Sequence, residues 1–146
     1  MTGQASQILW AEDNPQDRML IQESVGDLAP DLTLIPDGVL LLEALHRGLP
    51  DLVVLDLKMP RLGGLEALRR IRSHPAWKDL PVTIFSSGNQ PDEVAACQTL
   101  GVEEVVQKPV DFDLFSSAVQ RIVRSARSRP GPPSPAALQG RRPAPP

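Results

Sequence analysis

Apolar and polar positions along this chain follow two alternating regimes. Short apolar runs at Gln7 to Ala11, Leu32 to Ile35, Asp51 to Asp56, Pro81 to Phe85 and Glu104 to Gln107 are each followed by a stretch in which apolar residues recur every three or four positions. Short runs rich in Val, Ile and Leu predict strands, and the wider spacing predicts amphipathic helices. The first helix opens at Asn14-Pro15, where Asn caps free N–H groups and Pro suits the first helical position. Its stripe is Met19, Leu20, Val25 and Leu28, with Asp17, Arg18 and Glu23 toward water, and Pro30-Asp31 breaks it. Pro36-Asp37-Gly38 turns into a second helix carrying Val39, Leu42, Leu45 and Leu49, ended by Gly48 and Pro50. A third runs from Gly64 to Arg72 with Leu65, Leu68 and Ile71 inward and Arg69, Arg70 and Arg72 on a solvated face. Ser73 to Leu80 is a longer connection. A fourth helix runs from Pro91 to Leu100 and is stopped by Gly101; the last carries Phe112, Phe115, Val119, Ile122 and Val123 and fades into Arg124 to Arg129.

Strand followed by helix, five times over, predicts an α/β fold: a doubly wound parallel sheet with helices on both faces and right-handed crossovers. Leu52-Val53-Val54-Leu55 is apolar throughout, as expected of a strand covered on both sides. In such sheets ligands bind outside the carboxyl ends of the strands. The residues that end each run therefore matter most.

Composition narrows the function classes. At 146 residues the chain fits one domain, expected over residues 1–127, with a tail at 128–146. That tail is rich in Pro, Gly, Ala, Ser and Arg, which predicts disorder. Its Pro143-Ala144-Pro145-Pro146 is formally a PxxP sequence, read as part of a solvating tail. A net charge of -3 offers phosphate backbones no general attraction, so no nucleic-acid partner is expected. No apolar run approaches the roughly 20 residues that span a bilayer, and Met1 to Ser6 lacks the basic start and apolar core of an export signal. A cytoplasmic protein with no membrane partner is expected. One cysteine, Cys97, and two histidines, His46 and His74, make neither a disulfide nor a credible zinc site. Cys97 reads as a small helix residue, Trp10 as core, and Trp77 as a cover over a helix–strand joint.

The strand ends carry chemistry. Glu12 and Asp13 follow the first run, Asp56 ends the third, Ser86 follows the fourth and Lys108 follows the fifth. Where the first and third strands are neighbours, three carboxylates converge, and each pays for burial and repulsion unless a cation relieves it. Mg2+ suits that set, since it takes oxygen ligands and is usually held by one or two carboxylates plus phosphate oxygens. A hydroxyl and a fixed ammonium beside it suit a phosphoryl group, whose transfer needs positioning and charge neutralisation.

The ordered set Glu12-Asp13, Asp56, Met59-Pro60 with Gly64, Ser86 and Lys108-Pro109 resembles the receiver domain of two-component response regulators, over about residues 7 to 124. The resemblance implies a flavodoxin-like (βα)5 fold with strand order 2-1-3-4-5. It implies that Asp56 accepts a phosphoryl group from a sensor histidine kinase, without the protein being a turnover enzyme. Mg2+ would be held by Glu12, Asp13, Asp56 and the backbone carbonyl of Lys58, while Ser86 and Lys108 contact the phosphoryl oxygens. A cis Lys108-Pro109 bond is implied as well. Output would pass through the face of the fourth helix, fifth strand and fifth helix, to a partner or a homodimer, with Ser86 as the moving group. The motif Glu12-Asp13-Asn14-Pro15-Gln16-Asp17 and the segment before the fourth strand resemble the small single-domain receivers that serve phytochrome-type kinases. Val105 occupies the switch position where the family often has Tyr or Phe, and Lys58 occupies one often held by a polar side chain such as Asn. Gly63 replaces an Asp common before Gly64. Two other classes compete. A haloacid-dehalogenase-type phosphatase needs a second Asp two residues after the nucleophile, where this chain has Lys58. An unphosphorylated interaction module would be expected to lose Asp13, Asp56 or Lys108.

Overall fold

A computed structural model describes residues 6–29 and 31–128. Ten elements alternate strictly: β1 (Ile8–Ala11), α1 (Pro15–Val25), β2 (Leu32–Ile35), α2 (Gly38–Arg47), β3 (Leu52–Leu55), α3 (Gly64–Ser73), β4 (Val82–Ser86), α4 (Pro91–Thr99), β5 (Glu104–Gln107) and α5 (Phe112–Ser128). The strands form one parallel sheet in the order β2-β1-β3-β4-β5. The expected tail, with its PxxP sequence, lies outside the described residues apart from Ser128.

β3 and β4 are buried at every position, which is why β3 is continuously apolar and β4 is apolar apart from Thr83 and Ser86 rather than alternating. Successive β3 residues feed opposite cores. Leu52 and Val54 join Trp10, Phe85 and the inner faces of α1 and α5, whereas Val53 and Leu55 join Ile84, Leu41, Leu68 and the inner faces of α2 and α3. Trp10 is fully buried as expected, with its ring edge-on to Phe85 at 5.7 Å. Trp77 is buried in the other core, stacked under His74 at 3.7 Å and flanked by His46 at 4.8 Å, and so covers the ends of α2 and α3. Cys97 is a buried residue of α4, whose thiol burial pushes up away from the reactive thiolate.

Three departures from the sequence reading have physical causes. α1 ends at Val25 rather than near Leu28, because Gly26 takes φ 53 and closes its N–H onto the carbonyl of Gln22. α2 stops at Arg47, which leaves Leu49 outside the helix and exposed. Arg72 is not on a solvated face: its guanidinium donates to the carbonyls of Leu100 (2.6 Å) and Leu80 (2.8 Å), tying the approach to β4 to the end of α4. Arg69 and Arg70 stay outward beside Glu66.

The loop after β3 is held from α2. Asp37 caps that helix through the N–H of Leu40 at 2.9 Å and also receives the guanidinium of Arg61 at 2.7 Å. Arg61 sits at φ 63, a backbone region that non-glycine residues rarely occupy. Burial alone would raise the Asp37 carboxyl, but the Leu40 N–H and the Arg61 guanidinium outweigh it and hold it below the usual carboxylate range. A lowered carboxyl contributes stability above its unfolded value that is lost as pH falls through the folded value. Asp37→Ala should therefore cost about 1–2 kcal/mol at neutral pH, and urea unfolding should show that cost fading below about pH 4.

Candidate functional site

Parallel pairing places Ala11 opposite Leu55, so the residues that follow leave the sheet side by side. The ladder continues one step beyond each strand, with Glu12 N–H donating to the Ile35 carbonyl (2.8 Å) and Asp56 N–H to the Ala11 carbonyl (3.1 Å). Glu12, Asp13 and Asp56 consequently each offer an oxygen within 4.8 Å of the others. On the other side, Lys108 N–H donates to the Ser86 carbonyl at 2.9 Å, continuing β5 along β4. All five residues singled out at strand ends meet in one crevice.

Asp56 is engaged on both oxygens. Its Oδ1 accepts from the Ser86 hydroxyl at 2.7 Å and from the Lys58 N–H at 2.9 Å, and its Oδ2 pairs with Lys108 Nζ at 2.9 Å. Ser86 Oγ in turn accepts from the Leu57 N–H at 3.2 Å. Lys108 Nζ lies 2.7 Å from Glu12 Oε1 and 2.8 Å from Asp17 Oδ2 as well. An ammonium has three N–H donors, and three carboxylates surround this one.

The bond between Lys108 and Pro109 is trans, since no described peptide bond is cis. Trans is the favoured isomer for X-Pro by about 0.5–1 kcal/mol. With it, Lys108 already reaches Asp56, so nothing in the geometry requires the expected cis form.

Asp17 and Arg18 also depart from expectation. Periodicity places both toward water, yet Asp17 reaches Lys108 and Arg18 donates to the carbonyls of Glu12 and Asp13, each at 2.9 Å. The available signal was spacing: Asp17 stands four residues after Asp13, where the first turn of α1 folds back over the β1 end. Lys58 extends its exposed side chain across the crevice rim and donates to the carbonyls of Ser87 (3.1 Å) and Gly88 (2.8 Å). Gly88 is at φ 62, and a Cβ there would lie 3.0 Å from Lys58 Nζ. Gly64 has a different reason: a Cβ would collide with the carbonyl oxygen of Asp56 and lie 2.8 Å from Leu57 Cα. Val105 is half-buried and lines a cleft of about 670 Å³ between α4 and β5 with Pro91, Val94 and Gln98.

Burial splits the acids. Glu12 is fully buried, and that desolvation, with the Asp56 carboxylate beside it, pushes its carboxyl up to about 8 despite Lys108. Burial also works to raise Asp56, but the Lys58 N–H, Lys108, Glu12 and Ser86 outweigh it and hold Asp56 below the usual range. For Lys108, burial is overcome by Asp17, Glu12 and Asp56, which raise it above an ordinary lysine. The donor set is oxygen only, which fits a hard divalent cation and no thiophilic one.

Comparison with known proteins agrees with this geometry. Residues 8–120 match the response regulator receiver domain family, and the chain belongs to it. It is 31% identical over 129 residues to the response regulator MprA of Mycobacterium sp. (strain KMS), covering 88% of this chain and 55% of that one. It is 38% identical over 104 residues to the Regulator of RpoS of Escherichia coli (strain K12), covering 71% of this chain and 30% of that one. The chain thus spans about half, or less, of the length of these relatives. Among solved structures it resembles the phosphorylated cyanobacterial phytochrome response regulator RcpA, with TM-score 0.81 and 28% identity over 90% of this chain and all of that one. The Mn2+-bound form of response regulator Rcp1 matches with TM-score 0.79 and 26% identity, over 88% of this chain and 99% of that one.

Titration with Mn2+ should raise thermal stability, by about 2.7 kcal/mol at a hundredfold excess over Kd. Asp13→Asn removes an acid that is not a partner of Lys108, and should weaken that binding at least about tenfold in calorimetry while leaving the ion-free protein folded.

Proposed function

We propose that Asp56 accepts a phosphoryl group from a sensor histidine kinase and that the protein signals through the resulting change of conformation. The observation that carries this reading is the Asp56 carboxylate itself: buried, and engaged by the Ser86 hydroxyl on one oxygen and the Lys108 ammonium on the other. Glu12, Asp13, Asp56 and the carbonyl of Lys58 would hold Mg2+. That ion supplies neutralisation of the charge that develops on the phosphoryl oxygens.

In the transfer, an Asp56 oxygen forms its bond to phosphorus as the bond from phosphorus to the donor imidazole nitrogen breaks, and the imidazole keeps the electron pair. Lys108 and Ser86 turn their donors from the carboxylate to the phosphoryl oxygens. Because the protein itself is the acceptor, this is a signalling step rather than turnover. Ser86 closes β4, so its movement is transmitted to Ser87 to Gln90 and on to the α4–β5–α5 face, where Val105 leaves the cleft without an aromatic plug. That face serves a partner or a second copy. A phytochrome-type kinase is the partner supported by the likeness to RcpA and to the bacteriophytochrome response regulator AtBRR, 31% identical with TM-score 0.66 over 81% of this chain and 92% of that one. No helix among the described residues is long and apolar enough to cross a membrane. The phosphatase alternative is not supported: Lys58 places an ammonium, not a carboxyl, at the rim.

Beside the crevice, Val110 and Phe112 are exposed apolar residues flanking the cleft that leads to Asp17 and Lys108. They offer a donor protein contact area within reach of Asp56. With a small-molecule phosphodonor and Mg2+, the parent should label and Asp56→Asn should not; equal labelling would refute Asp56 as acceptor. Val110→Asp should leave small-donor labelling unchanged and slow transfer from the kinase by about tenfold or more, read as phosphotransfer over time.

A further inference from the structure

The three partners of Lys108 differ in what the proposed reaction asks of them. Glu12 and Asp56 have other demands on their oxygens: a divalent cation for both and, on Asp56, the phosphorus. Asp17 has neither. It lies outside the group of acids that converge for a cation, on the first turn of α1, with its carboxylate 2.8 Å from Lys108 Nζ. The ammonium is nearly buried, its side chain 8% exposed, and the Asp17 side chain is 24% exposed. Asp17 is itself held by the helix start, since its N–H donates to the capping side chain of Asn14 at 3.0 Å.

A lysine ammonium at the end of a flexible four-carbon stem costs entropy to hold in one place. In the resting site three carboxylates share that task. Once Glu12 and Asp56 turn their oxygens elsewhere, two of the three restraints are withdrawn at the moment when two N–H donors must point at phosphoryl oxygens. The cleft beside it, bordered by Asp17, Lys108, Pro109 and Val110, gives the stem a path toward solvent. Resting on the phospho-acceptor reading above, we infer that Asp17 is a positioning residue that keeps Lys108 at the acceptor throughout the reaction. It touches no reacting atom and acts only through Lys108.

The test is a double-mutant cycle in the full chain. Asp17→Ala should slow labelling of Asp56 by a small phosphodonor with Mg2+ by about tenfold, the loss of one hydrogen bond to a charged group. Asp17→Glu should recover part of it. In a Lys108→Met background the same Asp17→Ala change should have no further effect, because the group it positions is gone. An additive slowing in that background, or labelling of Asp17→Ala as fast as the parent, would overturn the inference while leaving Asp56 as acceptor. Failure of the parent to label would overturn the acceptor reading itself. A second readout does not depend on labelling: with Mg2+ present, relaxation of the Lys108 Cε group by NMR should report an ordered side chain in the parent and a mobile one in Asp17→Ala. An equally ordered Lys108 in both would refute the tether.

Discussion

One buried ammonium holds this site together. Without Lys108, the carboxylates of Glu12 and Asp56 would lie against each other with no positive charge inside the crevice, and uncompensated buried charge is among the costliest features a fold can carry. The acids do not share the burden equally. Burial pushes the Glu12 carboxyl up; it works to raise Asp56 as well, but the Lys58 N–H, Lys108, Glu12 and Ser86 hold that carboxyl down, so the two titrate as a coupled pair around one ammonium. Lys108 is in turn held by the continuation of β5 along β4 and by Asp17 on the first turn of α1.

The sheet explains why so many groups can converge without a loop having to fold around them. Parallel strands deliver their last residues to one edge, and adjacency of β1 and β3 turns two separate sequence motifs into one acidic cluster. The two cores then work as clamps on either side. Trp10 and Phe85 fix the strands that end at Glu12 and Ser86, while Arg72 and Trp77 fix the long approach to β4.

Much of this was legible in the chain, because strand ends are places where a residue's position follows from its number. Glu12, Asp13, Asp56, Ser86 and Lys108 follow the apolar runs directly, so a correct reading of the runs locates them. Helix faces are less constrained. Asp17, Arg18 and Arg72 all read as solvated charge, since a polar residue on an amphipathic helix usually points outward; each instead turns back to a neighbouring end that periodicity does not describe. Gly26 hides for a related reason: the apolar Leu28 beyond it continues the stripe, and only backbone conformation shows that the helix has already closed. Asp37 and Arg61 are 24 residues apart, and no local pattern pairs them.

The crossing of Lys58 to the carbonyls of Ser87 and Gly88 has a consequence for how this protein can vary. The ammonium rests where a side chain on residue 88 would begin, so the contact depends as much on the absence of an atom as on the presence of a charge. Positions 58 and 88 are therefore coupled: a side chain gained at 88 would meet a φ of +62 and oblige the lysine at 58 to shift its ammonium. The loop bearing the acceptor and the loop leaving β4 are not free to drift separately.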